Sequence, residues 1–142
     1  EMLRSLVGSE MCIRDRYYYD LVFDRLDWLE ERLSTRRYLM GDTITSPDIR
    51  LFVTLTRFDL VFYQKYLLNK KRLVDYPNLW NYAKDLFSNP AFGGNTDFNS
   101  MRLRFYYVDH TPFADMPRLM PKGPDDSRWL EPNDRAEKFS KK

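Results

Sequence analysis

The sequence predicts an all-α fold with an extended C-terminal tail, on three observations. Apolar residues recur every three or four positions through residues 17–33 and again through residues 77–87, the period of a helix packed along one face. The run Ile44-Thr45-Ser46-Pro47-Asp48-Ile49 carries the chemistry of a helix start. No stretch alternates apolar and polar residues as a half-buried strand would, and prolines at 112, 117, 121, 124 and 132 forbid a long helix after residue 110.

In chain order, Tyr18, Val22, Leu26, Leu29 and Leu33 form the buried stripe of a first helix, with Asp20, Asp24, Asp27, Glu30 and Glu31 mostly opposite. Residues 34–37 and Gly41-Asp42 turn the chain. Thr45 is then placed to cap a second helix, its hydroxyl accepting from the Asp48 N–H while the Asp48 carboxylate accepts from the Thr45 N–H. Ile44 and Ile49 have the spacing of a hydrophobic staple, and Pro47 fits a first turn whose N–H groups have no intrahelical partner. Ile49, Leu51, Phe52, Val53, Leu55 and Phe58 place apolar groups on most sides, so this helix is expected to be central and more fully buried than its neighbours. It is expected to run from Ser46 to about Leu60 and to bend near Asp59.

Asp75 is expected to cap the next helix, with Pro77 in its first turn and Leu79, Trp80, Tyr82, Ala83, Leu86 and Phe87 on its buried side. Ser88-Asn89-Pro90 stops it, and Phe92-Gly93-Gly94-Asn95-Thr96 reads as a loop. Thr96 or Asp97 can cap a further helix carrying Phe98, Met101, Leu103, Phe105 and Tyr106. Residues 111–142 are expected to lie extended over the helices, with residues 133–142, polar and charged, fraying.

A length of 142 residues with 43% hydrophobic content suits one core. A net charge of +2, from 23 basic and 21 acidic residues spread along the chain, gives no support to nucleic-acid or membrane binding, and no apolar run is long enough for a bilayer. Residues 8–15 read Gly-Ser-Glu-Met-Cys-Ile-Arg-Asp, the translation of one frame of a transposase sequencing adapter. Residues 1–16 are therefore expected to be an adapter artefact, which leaves a helical domain at 17–110 and a tail at 111–142. Cys12 then carries no chemistry, and with one cysteine no internal disulfide exists.

Tyr106, Tyr107 and His110 lie within about one helical turn, so one tyrosine and the histidine can share a face. A phenol can hydrogen-bond the hydroxyl of an aromatic substrate, and an imidazole can move a proton near neutral pH. From the residues alone, packing side chains with satisfied polar tips remain the simpler account. One histidine and one cysteine make no metal cluster, and neither a Gly-rich phosphate loop nor a Ser-His-Asp arrangement is present.

Tyr38-Leu39-x-Gly41-Asp42-x-x-Thr45-x-x-Asp48-Ile49 resembles the motif that opens the buried helix in the C-terminal domain of glutathione transferases. Arg57-Phe58-Asp59, Asp75-Tyr76-Pro77-Asn78-Leu79, Tyr106-Tyr107-x-x-His110 and Pro121-x-Gly123-Pro124, in that order, resemble the glutathionyl-hydroquinone reductases among the omega/xi-like members, over residues 17–124. The chain departs from that pattern at Asp109, where the family usually has Ser, at Phe62, where it has Tyr, and in lacking a Pro-His pair after Leu130.

The resemblance implies a glutathione transferase C-terminal-like bundle, glutathione as co-substrate with no metal, and an aromatic hydroquinone-type substrate. It also implies a cytoplasmic homodimer. Tyr106, Tyr107 and His110 inherit substrate binding by position, while Thr45 and Asp48 form a structural capping box. The family's catalytic cysteine and glutathione site belong to a thioredoxin-like domain with no counterpart in these residues. The chain is thus expected to be a fragment, inactive alone and with no catalytic residue of its own. The rival expectation is a non-catalytic interaction module of the same helical fold.

Overall fold

A computed structural model describes residues 2–107 and 120–140, with side chains from residue 16 onward. Helix α1 spans Met2–Thr35 and α2 spans Ser46–Arg57, followed by a widened π-helical turn at Phe58–Phe62. A 3-10 turn at Leu73–Asp75 leads into α3, Pro77–Ser88, and a single short turn, α4, Pro90–Gly93. Helix α5 spans Phe98–Tyr107, and the tail carries a 3-10 turn at Asp126–Leu130 and α6 at Arg135–Ser140. Among the described residues there is no sheet; one isolated antiparallel bridge joins Tyr38 and Gly41. Gly41 holds φ +132° there, a backbone that a side chain would strain.

The core gathers Phe23, Leu26 and Leu33 of α1, Phe52 and Leu55 of α2, and Leu79, Tyr82, Ala83 and Leu86 of α3. The stripe of α1 has the predicted spacing but a different phase. Phe23 is fully buried and Tyr19 packs beside it, whereas Tyr18, one residue off the stripe, is rotated about 100° into solvent. A second correction concerns which helix is central. Helix α2 leaves Ile49 51% and Val53 41% exposed, so it is amphipathic and the staple residue Ile49 does not enter the core. Helix α3 is the enclosed one, buried from Leu79 to Leu86 except at Asn81. It lies between α1, α2 and both tail turns.

The start of α2 is as expected in its chemistry. The capping box is present; the Asp48 carboxylate accepts from the Thr45 N–H at 2.9 Å and from the Thr45 hydroxyl at 2.7 Å. The start of α3 is not. Asp75 accepts from the Arg72 N–H instead, and the free N–H groups of Asn78 and Leu79 donate to the two carboxylate oxygens of Glu30 on α1, at 2.8 and 2.7 Å. A side chain 48 residues away satisfies donors that a local cap would otherwise serve. At Asp59, where a bend is expected, the backbone widens into the π-helical turn, the Tyr63 N–H reaching back five residues to the Phe58 carbonyl at 2.8 Å.

Tail residues 120–140 are described, and Trp129 and Arg135 in them are held against the bundle, Arg135 within the stretch expected to fray. Trp129 inserts among Phe52, Trp80, Phe87 and Phe98. Arg135, only 1% exposed, donates to the carbonyls of Leu33, Arg36 and Arg37 at 3.0, 2.5 and 2.7 Å. Those carbonyls belong to the last turn of α1 and the residues after it, which lack intrahelical partners, so a guanidinium from the far end of the chain caps the first helix.

Candidate functional site

Asp97 starts α5 by accepting from the N–H groups of Asn99 and Ser100 at 2.9 and 3.1 Å, an N-cap that fixes where the helix begins and hence where it ends. Its last turn carries Phe105, Tyr106 and Tyr107 against the π-helical turn. In that widened turn no backbone N–H among the described residues bonds the Leu60 carbonyl, which instead accepts the Tyr106 hydroxyl at 3.0 Å. Lys65 Nζ donates to the Phe105 carbonyl and lies 5.9 Å from the Tyr106 ring. The Arg57 guanidinium sits 5.6 Å from the Phe105 ring centroid. Three side chains thus tie the end of α5 to the segment that follows α2.

The two tyrosines occupy different environments, as neighbours rotated by about 100° must. Tyr106 is half-buried. Burial pushes its pKa up against the opposing charge of Arg102, so its phenol stays neutral through physiological pH. Its proton is committed to Leu60, which leaves its oxygen lone pairs to accept from a ligand hydroxyl. Tyr107 is 46% exposed and makes no hydrogen bond among the described residues, so it is available to donate or accept. His110 lies outside the described residues. Sequence reasoning missed Lys65 and Arg57 as neighbours of the tyrosines; their cationic character at helical spacing beside an aromatic run was the available signal.

Thr45 and Asp48 lie elsewhere, in a polar knot under α2. Asp48 Oδ1 accepts from the Leu39 N–H at 2.9 Å and from the Tyr82 hydroxyl at 2.8 Å, in addition to the two bonds from Thr45. Burial pushes this carboxyl up, but the four hydrogen bonds outweigh it and hold its pKa below the usual carboxylate range. Burial and the neighbouring Asp48 push the Tyr82 hydroxyl well up. The knot is structural: the carboxylate at its centre is 0% exposed. No group of three or more His, Cys, Asp or Glu placed to hold a metal occurs among the described residues. No helix there is long and apolar enough to cross a membrane.

The family described as glutathione S-transferase, C-terminal domain, matches residues 15–85, half of the chain. A glutathionyl-hydroquinone reductase of Sphingobium chlorophenolicum is 39% identical over 107 residues, which cover 75% of this chain and 33% of that protein. Another, from Escherichia coli K12, is 36% identical over 85 residues, covering 60% of this chain and 26% of that one. Among solved structures, a glutathione transferase from Gordonia bronchialis superposes with a TM-score of 0.76 at 47% identity, covering 84% of this chain and 36% of its own. A glutathione-bound transferase homologue from Escherichia coli K-12 superposes with a TM-score of 0.78 at 31% identity, covering 85% of this chain and 38% of its own. The chain spans about a third of the length of the curated relatives it matches. By the matched family and the shared all-helical fold, this chain belongs to the glutathione transferases and carries their C-terminal helical domain.

Proposed function

We propose that the chain is the substrate-side helical domain, residues 17–110 with the tail 111–142, of a glutathione-dependent reductase that converts glutathionyl-hydroquinones to hydroquinones. The observation that carries this reading is the 39% identity to a glutathionyl-hydroquinone reductase over three quarters of the chain. On this reading the nucleophilic thiolate and most of the glutathione site lie outside these 142 residues, so the chain alone is inactive. Residues 1–16 are adapter-derived, a reading supported by the adapter translation at residues 8–15. The intact protein is a cytoplasmic homodimer, working where glutathione is kept reduced.

The thiolate attacks the sulfur of the adduct, forming a protein–glutathione disulfide and breaking the bond from sulfur to the ring. The departing ring carbon takes a proton, and a second glutathione attacks the mixed disulfide, releasing oxidised glutathione and restoring the thiolate. The share of this domain is orientation. Tyr107 hydrogen-bonds one ring hydroxyl, Tyr106 accepts from the other through its free lone pairs, and His110 serves the same substrate pocket.

The test begins with recovery of the natural coding sequence and expression of the full-length protein. A thioredoxin-like domain with a cysteine is expected upstream; an unrelated domain there would make the chain an interaction module and refute the enzyme reading. In the enzyme, Tyr107→Phe is expected to lower hydroquinone turnover about tenfold or more, while exchange with a small aliphatic disulfide stays within about twofold. Equal turnover by Tyr106→Phe, Tyr107→Phe and the parent would make both tyrosines structural.

A further inference from the structure

A cavity of about 270 Å³ lies between the π-helical turn, the start of α3 and the tail, and neither Tyr106 nor Tyr107 lines it. Its walls are Leu55, Leu60, Val74, Trp80, Phe98 and Trp129. The aromatic walls are already set edge to face or tilted: Trp80 and Trp129 at 4.9 Å and 73°, Phe98 and Trp129 at 5.6 Å and 37°. A flat ring entering beside them meets the contacts that aromatic pairs favour. A dry apolar cavity of about 150 Å³ is enough to take a benzene ring. The tail side is held in place. Arg102 of α5 grips Asp126 with both terminal nitrogens, at 2.7 and 2.6 Å, and also bonds the Pro124 carbonyl at 3.2 Å. Gln64 donates to the Gly123 carbonyl at 3.2 Å.

The polar groups at the cavity decide the class of ligand. Its charges are largely neutralised by partners: Asp126 by Arg102, Arg72 by Asp75 at 3.2 Å, Arg128 by Glu131 at 3.4 Å. Asp59 and Asp125 make no ion pair among the described residues, so the cavity is net acidic and disfavours an anion such as a phenolate against its neutral phenol. Asp59 lends one carboxylate oxygen to the Leu73 N–H at 2.5 Å and keeps acceptor capacity. The Tyr63 hydroxyl makes no hydrogen bond among the described residues. Burial pushes the Asp59 carboxyl up, against the N–H groups of Leu73 and Val74, so a further donor would stabilise its charged form.

We propose that this cavity is a binding site for a small neutral phenol, its ring against Trp80, Phe98 and Trp129 and its hydroxyl between Asp59 and Tyr63, separate from the tyrosine end of α5. The site stands independently of the reductase reading. The chain has three tryptophans, of which Trp80 and Trp129 line the cavity while Trp28 lies on the exposed face of α1, so indole N–H resonances report the site directly.

The 142-residue chain is titrated with p-cresol and, separately, with toluene, following the three indole signals. Saturable movement of Trp80 and Trp129 with Trp28 still is expected, with a Kd on the order of 0.1–1 mM for p-cresol and at least about fivefold weaker binding of toluene. Val74→Phe, which fills the cavity, should weaken p-cresol at least about tenfold. No saturation by about 10 mM, equal movement of Trp28, equal affinity for toluene, or a folded Val74→Phe variant that binds as well overturns the proposal. Should Val74→Phe fail to fold, Tyr63→Phe decides: it should erase the preference for p-cresol, and a preserved preference overturns the assignment.

Discussion

Asp48→Ala should destabilise this chain more than any other single truncation of a surface or helix-start polar group, and the structure sets the size. The carboxylate is fully buried and accepts four hydrogen bonds, from the Leu39 N–H, the Thr45 N–H, the Thr45 hydroxyl and the Tyr82 hydroxyl. Deleting it strands the Leu39 N–H and the Tyr82 hydroxyl in the interior, at about 1–3 kcal/mol each, and removes the cap of α2, about 1 kcal/mol more. Relaxation recovers part of this, so a loss of about 3–5 kcal/mol is expected from a total stability on the order of 5–15 kcal/mol. Thr45→Ala alone should cost about 1 kcal/mol, and less once Asp48 is gone, because the bond from the Thr45 hydroxyl to Asp48 Oδ2 is then already lost. Urea unfolding of the parent, both single variants and the double variant, read by far-ultraviolet circular dichroism, measures all three quantities. The sign with pH follows from the lowered carboxyl. Its contribution is complete above the unfolded pKa of about 4 and is lost as pH falls through the lower folded value. The parent should therefore lose stability below about pH 4 more steeply than Asp48→Ala. A cost under about 1 kcal/mol for Asp48→Ala, or parallel acid profiles for the two proteins, would refute the knot as an organising contact.

Glu30→Ala should cost about 1–2 kcal/mol by uncapping α3, with Glu30→Gln intermediate because one amide oxygen can still accept; equal urea midpoints would contradict the long-range cap. Arg135→Met should cost about 2–4 kcal/mol, since the carbonyls at the end of α1 lose a buried charged donor, and hydrogen exchange should accelerate in the last turn of α1 before it does in α2.

What the sequence determined by itself is what neighbours in the chain decide. Thr45 and Asp48 are three residues apart, so the helix start at Ser46 follows from backbone geometry and two side chains. Asn89-Pro90 ends α3 because proline cannot accept the preceding α conformation, and Asp97 starts α5 by reaching N–H groups two and three residues on. The paired tyrosines were legible as a candidate site for the same reason, being adjacent and at a helix end. What only the tertiary structure decided involves groups far apart in sequence. Glu30 caps α3 in place of Asp75 because the packing of α1 on α3 sets its carboxylate against the free N–H groups, while Asp75 is taken by the Arg72 N–H. Arg135 read as part of a fraying end until α1 supplied carbonyls about a hundred residues away. Ile49 and Val53 carry the same hydrophobicity as Phe52 and Leu55, and only the side on which α3 packs determines which of them is buried. Tyr106 and Tyr107 are identical in the sequence; the carbonyl freed by the π-helical turn at Leu60 is what commits one hydroxyl and leaves the other open.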